Sequence, residues 1–511
     1  MNLGAKYGKI GVGQVLPGRN LVAKETSERA EAVREKMREE LSGQPFIAAS
    51  TDLWTEEKTS TCYNTVNVNY ITDNWELRSR VIGTKPLADR HTGANLYTAM
   101  RSNLEAAGCW EDHGDNVVYV TDNAANNRVA FQGRGRGWQS CFCHNLNLIV
   151  QDAVRDTAEL TPIIDAAKKL VRFSKKTTIN SKIKAGDPNG RGLKSAVPTR
   201  WNSEYIMLES IVHSYPALTT MAGVADREEV IRHMEELEKE ELEAVVSLLG
   251  FFDDASKQLS ASKQPTSFLV PLMVEQSRRH LQPDAADRPL VKKLKVKLLR
   301  GILGDKFGGK VGDSHHLALA LHPRYRRLAQ LTHLDEETRS RIQELVKTEA
   351  AALFRHRAKI KTQSAVEGVS SADSTAPTPS TSTSVAAAAP FNLELESEDE
   401  DDPDEAAAGS LLLEDRAKLS VDQEFAIYTM DKSGKSVKSG KELLDYWKQN
   451  EQRLPTLAAL ARKVHSTPAS SAKAERTFSE AGRIIEKRRT RLGASRVDDL
   501  LIIRDNKDLL Q

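Results

Sequence analysis

Residues Val117 to Asn127 read VVYVTDNAANN, a short apolar run that ends abruptly on Asp122. Val117, Val118, Tyr119 and Val120 are β-branched or aromatic, the composition of a buried strand. Thr121, Asp122 and Asn123 then supply turn and helix-cap chemistry. A carboxylate at the carboxyl end of a central strand stands where α/β folds commonly place their chemistry, although an aspartate there also serves as an ordinary N-cap. The rest of the chain decides between the two.

Upstream, Leu21 to Leu41 reads as a charged helix with Val22, Ala30, Val33 and Met37 roughly on one face. Pro45 to Ser50 is an apolar run that stops at Thr51, Asp52, Leu53 and Trp54. Tyr63 to Ile71 alternates as a half-buried strand, and Trp75 to Thr84 reads as its hairpin partner. Thr92 to Ala107 has helical period. After the Val117 strand come a short helix, a short strand near Ser140 and a helix from His144. The order β-β-β-α-β-α-β-α is that of a ribonuclease-H-like core, an α/β fold with a mixed five-stranded sheet. In that topology the first strand lies beside the fourth, and Asp52 and Asp122 become neighbours.

Leu160 to Phe354 is helical in character, with amphipathic segments such as Arg227 to Phe252 and a basic stretch at Val291 to Lys310. Thr362 to Ala389 is rich in Ser, Thr, Ala and Pro and runs into an acidic tract. Neither can bury enough apolar surface to order itself, so roughly 363–410 reads as disordered. Helical patterning resumes at Lys441. The chain thus divides into a leader and helix (1–44), the first part of the core (45–205), a large all-helical insertion (206–362), a linker (363–422) and a C-terminal helical region that completes the core (423–511).

The 511 residues carry a net charge of +2, which hides an asymmetry. Glu394 to Glu405 holds nine acidic residues among twelve, and without those nine the rest of the chain carries +11, a balance suited to a polyanionic partner. No apolar run approaches a membrane span, and the N-terminus has no secretory h-region. Four scattered cysteines, Cys62, Cys109, Cys141 and Cys143, point to a reducing compartment rather than a disulfide framework.

Two aspartates at strand ends need a third carboxylate to hold paired divalent cations, and hard oxygen ligands select Mg²⁺ or Mn²⁺. Glu475 is the candidate. On a helix it shares a face with Ser471, Ala472, Ser479 and Gly482, beside an apolar stripe of Ala474, Phe478, Ala481 and Ile485. A carboxylate ringed by small residues stands clear, although a solvated glutamate reads the same way by composition.

Six blocks, in order, resemble the hAT superfamily of transposases and domesticated relatives of the BED zinc-finger type. They are TDLWT (51–55), RHTG (90–93), VTDNAANN (120–127), CFCHNLNLIV (141–150), PTRWNS (198–203) and LPTLAALARKVHSTPASSAKAERTFSEAG (454–482). The resemblance implies a ribonuclease-H-like fold with a helical insertion, an acidic triad of Asp52, Asp122 and Glu475, and a C-terminal dimerisation region. It also implies double-stranded DNA as partner, a homodimer or higher homo-oligomer, and residence in the nucleus. Trp201, with Arg200 beside it, reads either as a core tryptophan or, by resemblance, as one that stacks on an unpaired base.

Cys141 and His144 match the family's C-x-x-H. A tetrahedral zinc site needs two further ligands at suitable spacing, so no zinc is expected there. A packing cysteine and a histidine that supports the DNA-binding site are the expectation. His91 matches a family position without an assigned role. Gly133 to Gly137 reads as a flexible basic loop rather than a phosphate loop. Lys487 to Arg491 reads as a nuclear localisation signal, a phosphate-contacting patch or a solvated helix face. No Cys/His pattern precedes Asp52, whereas the family usually begins with a BED finger. Two functions follow: metal-dependent DNA cleavage and strand transfer, or a catalytically silent DNA-associated, regulatory dimer.

Overall fold

The computed structural model describes residues 18–56, 60–87, 89–110, 117–197, 201–220, 227–369, 403–484 and 493–510. Helix α1 (Arg19–Ser42) leads into three antiparallel strands, β1 (Ala48–Thr55), β2 (Cys62–Ile71) and β3 (Leu77–Pro86). Helix α2 (Gly93–Ala106), β4 (Val118–Thr121), the short α3 (Ala125–Phe131) and β5 (Gly137–Ser140) follow. The strands form one mixed sheet in the order β3-β2-β1-β4-β5, with β1, β4 and β5 mutually parallel.

One face of the sheet is dry. Val33, Met37 and Leu41 of α1 and Leu96, Met100 and Leu104 of α2 pack on Ala49, Val66, Val68, Tyr70 and Tyr119. Burial of such side chains contributes about 1.5–3 kcal/mol each. The alternation in β2 suggested a half-buried strand, but all ten of its residues are buried. Thr65, Asn67 and Asn69 face a second covered surface, where the Thr65 and Thr84 hydroxyls bond at 2.9 Å. Alternation here separates two buried faces of different polarity. Trp75, expected in the third strand, instead turns the hairpin at φ 63°. Its buried ring lies under the Arg462 guanidinium, and its indole donates to Glu451 at 3.0 Å.

From α4 (Phe142–Arg155) onward the described residues are helical. Helices α5 (Leu160–Lys176), α6 (Ile179–Gly186), α7 (Trp201–Thr220), α8 (Arg227–Glu235), α9 (Lys239–Leu259), α10 (Leu269–His280) and α11 (Pro289–Leu303) share one continuous core with α4. A second core joins α12 (Asp313–Ala320), α13 (Glu336–Val369), α14 (Pro403–Met430), α15 (Gly440–Asn450) and α16 (Pro455–His465) around Trp447 and Tyr428. Helices α17 (Ala472–Ile484) and α18 (Ala494–Asp505) then return to the sheet. Phe478 and Ala481 of α17 pack with Tyr63 of β2, against Trp54 of β1. Arg34 of α1 reaches Asp498 and Asp499 of α18 at 2.9 Å, tying the two ends of the chain together.

The expected linker at 363–422 is therefore too long at both ends. Helix α13 continues to Val369, and α14 begins at Pro403. Ala417 and Val421 of α14 are fully enclosed, and buried Glu424 accepts the backbone N–H groups of Thr456 and Leu457 at the start of α16. An amphipathic helix directly behind an acidic tract is masked by the tract's composition. Helical structure consequently resumes well before Lys441.

Candidate functional site

Asp52 lies on β1 opposite Thr65 of β2, half-buried, and one carboxylate oxygen accepts from the Leu53 N–H at 2.9 Å. Two residues further along the same face, Trp54 stacks on Tyr63 (5.7 Å between ring centres) and on Phe478 (6.1 Å). Those rings seat α17 against the strand. Glu475 lies in the first turn of α17, on the face beside its buried Ala474, Phe478 and Ala481. Asp52 and Glu475 line one cavity of about 730 Å³, with Ala472, Ser479 and Gly482 from the same helix. Three of the four small residues expected on the Glu475 face are there, whereas Ser471 precedes the helix and is buried away from the cavity.

Helix α17 is held at the cavity by Cys141, which is completely buried. Its sulfur caps α4 by accepting the His144 N–H at 3.5 Å, and also accepts the Ser471 N–H at 3.4 Å. Phe142 N–H donates to Ala469 O at 3.0 Å beside it. Burial first, then the Glu475 charge, pushes the thiol up to about 11, so it stays protonated at neutral pH. Cys141 is thus a structural pin between two helix starts. Its capping also starts α4 at Phe142, two residues before the expected position.

The other wall comes from the helical body. His144 and Asn147 of α4, Asn202 of α7, and Ser256, Lys257 and Ser260 of α9 all line the cavity. Lys257 pairs with Asp253 at 2.6 Å, and that contact raises its affinity for a proton. Asp253 in turn accepts from Asn202 at 2.7 Å, while Arg476 donates to Ser260 O at 2.9 Å. The cavity therefore brings two carboxylates together with two cationic side chains, Lys257 on the opposite wall and Arg476 beside Glu475 on α17, a layout compatible with a cation-bridged phosphate. Lys257 was not legible from sequence, because α9 extends beyond the Arg227–Phe252 segment and nothing local marks the lysine.

Asp122 is placed differently. The β1–β4 register pairs Ser50 with Val120, so the residues two further along each strand are Asp52 and Asp122, as the topology reading required. Yet Asp122 does not line the cavity. Its Oδ1 accepts from the Ala124 N–H at 2.9 Å and from Asn127 Nδ2 at 2.6 Å, so it caps an Asx-turn ahead of α3 rather than the helix itself, whose N-cap position is Ala124. Asp52 and Glu475 have the donor chemistry that a hard divalent cation needs. Among the described residues, however, no three His, Cys, Asp or Glu side chains are gathered to hold an ion.

Trp201 starts α7 and is 3% exposed in the helical core, its ring 6.0 Å from Tyr205. In this arrangement it fills the core, and stacking on a base would require it to leave. Arg200 and the Lys487 to Arg491 stretch lie outside the described residues. His91 is exposed, and its carbonyl accepts from Asn126 at 3.1 Å. The glycine-arginine stretch turns into the edge strand β5, with Arg134 over the Tyr97 ring at 3.9 Å. No helix among the described residues is long and apolar enough to cross a membrane.

Two family models match: the hAT family C-terminal dimerisation region over residues 424–507, and the ZBED1 RNase-like helical domain over 139–248. The Hobo transposase of Drosophila melanogaster is 25% identical over 309 residues, which is 59% of this chain and 45% of that protein. The putative AC transposase of Zea mays is 23% identical over 493 residues, 90% of this chain and 57% of that protein. Human zinc finger BED domain-containing protein 4 is 24% identical over 161 residues, 30% of this chain and 13% of that protein. The chain spans about half the length of the two transposases. These matches bear out the resemblance: the chain is related to hAT transposases and to the BED-finger proteins akin to them.

Proposed function

We propose that this chain is a transposase-type protein of ribonuclease-H-like fold that cuts double-stranded DNA in the nucleus and transfers its strands. Asp52, Asp122 and Glu475 would hold Mg²⁺ or Mn²⁺, with Asp122 turning away from its cap to join the other two. When bound, such ions supply Lewis-acid stabilisation of the attacking and leaving oxygens of a phosphodiester. The protein's own contribution is positioning. Lys257 and Arg476 would take phosphate oxygens, Asn147 and Asn202 would orient the backbone, and the Trp54–Phe478 contact would hold the glutamate against the strand.

The observation that carries this reading is the shared cavity of Asp52 and Glu475, which arrive from opposite ends of the chain. The test is nicking of a supercoiled plasmid in Mn²⁺ by the full chain and by Asp52→Asn and Glu475→Gln. Nicking lost in both variants is expected. Absent nicking, or nicking equal in all three proteins, defeats the proposal.

A second reading is a domesticated DNA-associated or regulatory dimer that kept the fold without the chemistry. Asp122 favours it, because its carboxylate is already engaged by Ala124 and Asn127 and no three-ligand group is assembled. On that reading plasmid DNA is bound without being cut, and Glu475→Gln leaves binding unchanged.

A further inference from the structure

Where β4 and β5 begin, the sheet stands off from the helices that face it. Val118 and Gly137 to Gln139 line one side of a cavity of about 450 Å³, and residues of α12, α13 and α16 line the other. Among the described residues, none lines both this cavity and that of Asp52 and Glu475. Three charged side chains meet in it. Lys463 of α16, 15% exposed, pairs with Glu349 of α13 at 3.0 Å. Arg136 enters from the turn before β5, its backbone N–H donating to Val117 O at 3.0 Å, close enough for its charge to act on both. Asp313 of α12 also borders the space, with its carboxylate drawn to Arg341 at 3.1 Å.

An ion pair ordinarily strengthens a lysine's hold on its proton, as Asp253 does for Lys257 at 2.6 Å. Lys463 behaves in the opposite way. Burial first, then the Arg136 charge, outweigh Glu349 and lower its proton affinity. The pair is thus short of negative charge, in a space large enough to admit it. Gln139 adds a second mark. Its side-chain oxygen is buried with no hydrogen-bond partner among the described residues, and a buried amide left so is unusual. Turned about its last bond, the same amide presents two N–H donors.

We propose that this cavity binds a phosphate group, held between Lys463 and Arg136 with Gln139 as a further donor. The donors suit a tetrahedral anion: the guanidinium supplies a planar fork, and the ammonium a compact charge that follows any oxygen. Bound there, the anion offsets the positive charge that Glu349 leaves uncompensated, while Glu349 sets the affinity by repelling it. Two sources carry this chemistry, a DNA backbone and a free small phosphate, and the test separates them. The site stands whether or not Asp52 and Glu475 cut DNA.

The melting temperature of the full chain in sodium phosphate, against sodium chloride of equal ionic strength, tests it. Phosphate should raise that of the wild type saturably, and the rise should vanish in Lys463→Met and Arg136→Gln. It should persist in Lys257→Met, which alters the other cavity. Glu349→Gln should half-saturate at several-fold lower phosphate, whereas in a purely structural cluster it would lower the melting temperature and leave the response as it was. Anisotropy of a short labelled DNA duplex then identifies the source. Binding weakened in Lys463→Met and Arg136→Gln, and competed by phosphate, marks a backbone phosphate. Binding equal in all three proteins, beside a phosphate response lost in both variants, marks a free one. No rise in the wild type, a rise that survives Lys463→Met and Arg136→Gln, or a Glu349→Gln response equal to that of the wild type overturns the proposal.

Discussion

Asp122 and Glu475 are expected to do the same work, yet the fold treats them in opposite ways. Asp122 sits directly after its strand, and its nearest chain neighbours satisfy it: the Ala124 N–H and the Asn127 amide. Glu475 rides on a helix that is held at the cavity from a distance, by the Cys141 sulfur and by Phe478 against Trp54. One carboxylate is placed by local turn chemistry, and the other by tertiary packing. The sheet half of the site should therefore be robust and locally tunable, whereas the helix half should fail whenever the packing behind it fails.

Acid provides the largest expected break in that contrast. His315, His322 and His465 are buried at the junction of α12 and α16, from which α17 is hung, whereas among the described residues no strand of the sheet carries a histidine. Burial pulls His315 and His322 down to about 3 and His465 to about 4. An unfolded histidine titrates near 6.5, so as pH falls below that value the unfolded chain takes up protons that the folded chain refuses. Stability is full above about pH 6.5 and is lost progressively toward the folded values. At pH 5 the loss is about 2 kcal/mol per ring and about 6 kcal/mol for three. Urea midpoints at pH 7 and pH 5 measure it, and His322→Phe should recover about a third of the loss. Equal midpoints at the two pH values would remove the proposed weakness of the helix half.

Removal of the aromatic seat should come next. Phe478→Ala deletes a 6% exposed ring that packs with Tyr63, Val497 and Leu501 and stacks on Trp54. The expected cost is about 3 kcal/mol by denaturant unfolding. Plasmid nicking should fall as well, since Glu475 stands one turn away on the same helix. A stable variant that nicks normally would show that Glu475 is positioned some other way.

The same contrast explains what was legible in the sequence. Strand order, the pairing of β1 with β4 and the two faces of α17 follow from local patterns, because β-branched runs and helical spacing survive in any one segment. The reading of 363–422 as linker failed at 403, where a strongly acidic composition hid a helix whose inner face depends on α13 and α16. Full burial of β2 was hidden because alternation shows that two faces differ, not that one is wet. Lys257 could not be found, since its place at the cavity exists only once α9 packs beside α4. Asn127 was visible within VTDNAANN, but its bond to Asp122 depends on the turn between them.

That bond supplies the smallest expected effect. Asn127 is 4% exposed and donates to Asp122 at 2.6 Å, one of two contacts that hold the carboxylate in its cap. Asn127→Ala should cost about 1 kcal/mol, because the Ala124 N–H still donates to the Asp122 carboxylate, which is only half-buried. If the cap restrains Asp122 from joining Asp52 and Glu475, the variant should gain a larger Mn²⁺-induced rise in melting temperature than the wild type. Adding Asp122→Ala to it should abolish that gain. A Mn²⁺ response identical in wild type and Asn127→Ala would mean that Asp122 is a cap and nothing more, and the two carboxylates would then differ in role as well as in how they are held.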